Sequence, residues 1–193
     1  MASNVINAAE LLRRAAERQP GKTAIIWEDG QLSYGELLRR IDRLSHALAA
    51  LRVGQGDRVA ILFHNGPRFV ESWWASVQLG AIAVPLSTRA LPAELKATIA
   101  DAQAAAVLAG AEFLPAIADL RPELPSVRAV VGYTGKPPAG IFSYEDLVQG
   151  DKLAPPRAEI GLGDPCAIYY TAGTTGASKG AVRTHQSVAW GLA

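Results

Sequence analysis

The stretch Cys166-Ala167-Ile168-Tyr169-Tyr170 is a compact apolar run, and it feeds directly into Thr171-Ala172-Gly173-Thr174-Thr175-Gly176-Ala177-Ser178-Lys179-Gly180. The run is short enough to be a buried strand. The segment after it is rich in glycines, which let the backbone fold into a concavity of N–H groups and let a ligand approach closely. Threonine and serine hydroxyls add neutral donors, and Lys179 adds a mobile positive charge suited to phosphate oxygens. Glycine, hydroxyl and lysine at this density, directly after a strand, point to a loop that holds a polyphosphate rather than to an incidental surface turn.

The loop is not that of the common NTPases. Their pattern is G-x-x-x-x-G-K-[ST], whereas here Ser178 precedes the lysine and Gly180 follows it. Beyond Gly180, Ala181-Val182-Arg183-Thr184 reads as a second short strand, not as the long helix a Walker loop feeds. The loop is therefore expected to join two strands and to bind phosphate without a helix dipole behind it.

Upstream, the apolar pattern supplies the sheet that such a strand would join. Arg58 to Phe63 is a continuous apolar strand, followed by the turn His64-Asn65-Gly66-Pro67 and a helix lined by Phe69, Val70, Trp73, Trp74 and Val77, which Gly80 ends. Ala81 to Leu86 is the next strand, Pro92 and Glu94 open a helix, and Ala104 to Ala109 make a third strand. This alternation predicts an α/β fold: parallel-rich βαβ units in a sheet layered with helices. The tryptophans are read as core, and His64 as a turn residue. Before the sheet, Asn7 with Glu10 and Ser33 with Glu36 mark two capped helices. The second helix carries Leu37, Ile41, Leu44, Leu48 and Leu51 on one face. Between them Glu28-Asp29-Gly30 predicts a hairpin turn in which glycine accepts positive φ. Val127 to Val131 is a further expected strand, Ser143 a helix cap, and residues 150–165 a covering loop.

Tyr170 to Gly180 closely resembles the phosphate-binding signature of the adenylate-forming superfamily, Y-T-S-G-T-T-G-x-P-K-G, which includes acyl-CoA synthetases, adenylation domains of peptide synthetases and beetle luciferases. Two positions depart from it: Ala172 stands where the family usually has serine, and Ser178 where it usually has proline. Gly56 to Leu62, Gly80 to Leu86, Asp164-Pro165 and Thr184-His185 resemble further landmarks of that family, so the resemblance spans nearly the whole chain. It implies that residues 1–193 are the amino-terminal portion of a larger AMP-binding domain, cut after the phosphate loop.

The resemblance also implies an activity: ATP-dependent conversion of a carboxylic acid, fatty or aromatic, to an acyl-adenylate, then transfer to coenzyme A, with Mg²⁺ sharing the phosphate charge. Thr171, Gly173, Thr174, Thr175, Gly176 and Lys179 match the ATP-binding loop, and His185 is a further candidate behind it. None of these is an acid, base or nucleophile, and no metal-ligating set is read from the residues. Thr174, where amino-acid-activating domains often carry serine, and Leu86-Ser87-Thr88-Arg89 look more like a CoA ligase. The alternatives are an adenylation domain that loads a carrier protein and an inactive folding or association module.

Composition narrows the partners. With 19 basic and 18 acidic residues the net charge is +1, so no basic field invites nucleic acid or an anionic membrane surface. The single cysteine, Cys166, cannot form an internal disulfide, and it reads as a packing thiol. No apolar run reaches the roughly 18 residues of a membrane span. A cytoplasmic protein is expected, one that self-associates through a cut apolar edge at its carboxyl terminus.

Overall fold

In the computed structural model, residues 7–150, 158–171 and 178–192 are described. Loop residues Gly173, Thr174, Thr175 and Gly176 lie outside them. Asn7 Oδ1 accepts from the Glu10 amide at 3.1 Å and opens α1 (Ala8–Arg18). Strands β1 (Thr23–Trp27) and β2 (Gly30–Ser33) then form the expected antiparallel hairpin. Its turn differs from expectation: Gly30 pairs with Trp27 inside the ladder and is not in the left-handed region. A Cβ at this position would stand 3.0 Å from the Trp27 indole, a tight approach that the ring would have to yield to.

Ser33 and Glu36 complete a reciprocal capping box, with Ser33 Oγ accepting from the Glu36 amide and Glu36 Oε2 from the Ser33 amide. It starts α2 (Tyr34–Ala50), whose Leu37, Ile41, Leu44 and Leu48 are buried. Asp42 is buried too, where Arg13 and Gln78 reach across to its Oδ1 at 2.6 and 2.7 Å.

The remaining elements are β3 (Arg58–Leu62), α3 (Pro67–Gln78), β4 (Ile82–Pro85), α4 (Pro92–Asp101), β5 (Ala106–Gly110), α5 (Leu114–Leu120), β6 (Ala129–Tyr133), β7 (Phe142–Ser143), α6 (Tyr144–Gln149), β8 (Pro165–Thr171), β9 (Lys179–Thr184) and α7 (His185–Leu192). Seven strands form one sheet in the order β7-β6-β5-β3-β4-β8-β9, parallel throughout except for the antiparallel pair β8–β9. The α/β reading is borne out. Helix α5 and strand β7 were not legible in the pattern, and β6 begins two residues later than expected.

Two apolar layers cover the sheet. Val59, Ile61 and Phe63 point to the face carrying α1, α2, α3 and α6, while Ala60 and Leu62 point to the face carrying α4 and α5. The chain steps from β3 to β4, then back past β3 to β5. Right-handed crossovers in these opposite directions must put α3 and α4 on opposite faces, as observed. Trp73 and Trp74 pack edge to face at 5.0 Å in the first layer, as core. Gly80 ends α3 with φ of +69°.

A charged network crosses that layer. Glu71, fully buried, accepts from Arg40 Nε at 2.7 Å and Nη2 at 3.2 Å, and from the Tyr144 hydroxyl at 2.7 Å. Arg40 also reaches Glu145, which Arg68 meets at 3.2 Å. Burial and the neighbouring Glu71 charge hold the Tyr144 hydroxyl well above the ordinary tyrosine range, so it stays a donor. The carboxyl group thus has the partners that a buried charge requires, and it ties α2, α3 and α6 together.

Candidate functional site

Strand β8 leaves the sheet at Thr171 and β9 returns at Lys179, and these two residues are the last cross-strand pair of the ladder. The expectation that the loop joins two strands is borne out. Because β8 runs parallel to β4, the loop emerges at the carboxyl edge of the parallel strands, where open α/β sheets take their ligands. Thr171 and Lys179 are both exposed and face one another across the mouth of the loop. Of the expected phosphate-binding residues, the structure thus brings Thr171 and Lys179 together; Gly173, Thr174, Thr175 and Gly176, which the chain carries between them, are outside the described residues.

Below the mouth the next pair is Tyr170↔Gly180. A Cβ on Gly180 would lie 2.7 Å from Ile168 Cγ2 and 3.2 Å from Tyr170 Cζ, so the glycine makes room for the tyrosine ring. The Tyr170 hydroxyl donates to Asp101 Oδ2 at 2.5 Å, from β8 to the last residue of α4. Burial raises this hydroxyl to about 12, and Asp101's hydrogen bond and charge add to the effect. Beside it a groove of about 510 Å³ runs along Ala93, Ala97, Thr98 and Asp101 of α4 to Ser178 of the loop.

His185 is not brought beside Lys179. It begins α7 at the far end of β9, six residues along the chain, which at about 3.3 Å per strand residue is roughly 20 Å. Its backbone amide bonds to the Asp164 carbonyl at 3.0 Å, and its ring is fully buried with no hydrogen-bond partner among the described residues. Burial lowers its pKa, only partly countered by the Asp164 charge, so the ring is neutral. Cys166 is buried, with its thiol pushed up by burial to about 12, which makes it an inert packing group. Among the described residues no three His, Cys, Asp or Glu side chains converge as a metal site. Likewise, no helix among them is long and apolar enough to cross a membrane.

Asp101 was not singled out in the sequence. It lies 69 residues from Tyr170, and no local pattern announces a partner at that separation.

A mostly parallel sheet layered with helices, with the β8–β9 turn at its carboxyl edge, defines an α/β domain. The AMP-binding enzyme family matches residues 12–193, and the chain belongs to that family. An indoleacetate–CoA ligase of Aromatoleum aromaticum is 35% identical over 183 residues, covering 94% of this chain and 36% of the relative. A long-chain-fatty-acid–CoA ligase of Mycobacterium tuberculosis is 31% identical over 94% of the chain and 36% of its own length. Among solved structures, an anthranilate CoA ligase in complex with anthranoyl-AMP superposes with a TM-score of 0.90 at 29% identity, over 95% of this chain and 36% of that one. The chain thus spans about a third of the length of the curated relatives it matches.

Proposed function

We propose that this chain supplies the ATP-phosphate loop of an acid–CoA ligase. In that reaction a carboxylate oxygen attacks the α-phosphorus of ATP, the bond to the β-phosphate oxygen breaks, and pyrophosphate leaves. The thiol of CoA then attacks the acyl carbon, loses its proton, and displaces AMP. The chemical demand on this part of the protein is to hold the β- and γ-phosphates still while their negative charge develops. The observation that carries the reading is the Thr171–Lys179 mouth at the carboxyl edge of the sheet, within a chain of the AMP-binding family.

Thr171, Thr174 and Thr175 would donate hydroxyl hydrogen bonds, the backbone at Gly173 and Gly176 would approach the phosphates closely, and Lys179 would neutralise charge. His185 would act only through the β8–β9 ladder, by fixing its base. The acid is fatty or aromatic; a ligase of each kind is among the relatives.

The test is acid-dependent ATP–pyrophosphate exchange by the protein expressed from its full reading frame, with a panel of fatty and aromatic acids, followed by detection of the CoA thioester. Exchange with one acid class and a CoA product supports the reading. Exchange without a CoA product, but with acyl transfer to a carrier protein, replaces CoA as acceptor, and absence of any exchange overturns the reading. The 193 residues alone offer ATP a few solvent-exposed hydrogen bonds, which must offset the cost of immobilising it. Titration calorimetry on the chain should show a Kd in the millimolar range, about −4 kcal/mol, and no exchange activity. Micromolar affinity would show that the loop suffices.

A further inference from the structure

The mouth of the loop has little of the sheet beneath it. Strand β8 meets β4 at one register position, Ala83↔Ala167. Pro85, two residues further along β4, has no N–H to extend the ladder. From Ile168 to Thr171 the ladder partner of β8 is β9, itself an edge strand exposed from Lys179 to Arg183. Beyond Ala167 the ribbon has no ladder partner on the β4 side, and only Ile168 and Tyr170 of β8 pack on the layer of α4, so its outer end is held less firmly than the central strands.

Among the described residues, one side-chain hydrogen bond crosses from this ribbon to α4, beside the apolar packing of Ile168 and Tyr170. The Tyr170 hydroxyl reaches Asp101, and Asp101 closes a helix anchored in the core by Leu95 and Ile99. Gly180, opposite Tyr170, leaves the ring space to lie flat against its partner strand. The hydroxyl remains protonated throughout the physiological range, since burial holds it near 12.

We infer that Tyr170 and Asp101 form a strut that positions the phosphate loop by fixing the stem from which Thr171 and Lys179 emerge. The inference rests on reading the chain as part of an acid–CoA ligase. Neither residue touches ATP in this role; both are positioning residues, and they act on nucleotide binding more than on acid binding. The groove along α4 is the space across which the strut stands, so loss of the strut lets the hairpin swing relative to α4.

Two measurements test it. In the full-reading-frame ligase, Tyr170→Phe and Asp101→Ala should each raise KM for ATP roughly three- to tenfold, the range of one lost hydrogen bond, with KM for the acid unchanged. Asp101→Asn, whose amide oxygen still accepts, should restore most of the wild-type value. The double variant should be no worse than either single one, as expected of two ends of one contact. In the 193-residue chain, hydrogen exchange of the backbone amides at 179–181 should quicken in Tyr170→Phe, while the amides of β3 and β5 keep their protection. An active wild type whose ATP KM and stem exchange ignore both substitutions overturns the strut alone, as does an additive double variant. A wild-type ligase with no acid-dependent exchange overturns the functional reading and this role with it.

Discussion

Strands β3 and β5 and strands β8 and β9 belong to one sheet but stand in opposite surroundings. All five residues of β5 are buried, and so are four of the five in β3, whereas five of the six residues of β9 are exposed. The central strands have neighbours on both edges and helices on both faces. The β8–β9 ribbon has α7 near its base, a helix across a groove, and its mouth in the open. Burial makes the first region the source of stability, and exposure leaves the second free to meet a ligand. Substitutions in the two regions should therefore separate cleanly into changes of stability and changes of ATP handling.

The largest effect belongs to the scaffold. Glu71 is fully buried and accepts hydrogen bonds from Arg40 and Tyr144, so Glu71→Ala takes the buried partner from the guanidinium, leaving it Glu145 alone, and removes the carboxylate acceptor of the Tyr144 hydroxyl. Breaking a buried pair by removing one partner costs about 3–5 kcal/mol. Urea denaturation of the chain should show a loss of that size, with the m-value kept. A loss below about 1 kcal/mol would mean that water reaches Arg40 easily, and the contrast between the two regions would weaken.

The scaffold was largely legible in the sequence, and the reason is physical. Burial on both faces writes continuous apolar runs, as in Val59 to Leu62, and capping writes local pairs such as Ser33 with Glu36. Both signals sit within a few residues of each other. The Glu71 network was invisible because its partners, Arg40 and Tyr144, lie 31 and 73 residues away. The same holds at the site. Lys179 and the loop glycines were read from their own neighbours, but Asp101 could be found only when α4 and β8 were placed side by side. Gly180 was read from the loop alone, and its close packing against Ile168 and the Tyr170 ring could be found only from the paired strands.

The middle effect belongs to the ribbon and should leave stability alone. Lys179 is exposed. A hydrogen bond to a charged group contributes about 1.5–3 kcal/mol. Lys179→Ala in the full-reading-frame ligase should therefore lower kcat/KM for ATP by roughly ten- to a hundredfold. Its urea midpoint should match that of the wild type. Unchanged ATP kinetics would remove Lys179 from the phosphates, and a stability loss comparable with that of Glu71→Ala would erase the distinction between the regions.

The smallest effect sharpens the comparison, because it introduces a packing fault of the kind that harms cores into the exposed ribbon. In Gly180→Ala the new methyl would start 2.7 Å from Ile168 Cγ2, so the two strands must shift apart or the isoleucine must turn. Overpacking inside a core costs typically about 1–3 kcal/mol. Here β9 has no outer neighbour to resist, and it can move away from β8 toward solvent, so the cost should fall to about 1 kcal/mol or below. The displacement nevertheless shifts the stem next to Lys179 and pushes on the ring of Tyr170, whose hydroxyl must reach Asp101. KM for ATP should rise by a few fold even though the urea midpoint barely moves. If instead the midpoint drops as far as it does for Glu71→Ala while ATP kinetics hold, then the ribbon carries the fold's stability after all, and the partition between covered strands and exposed hairpin is wrong.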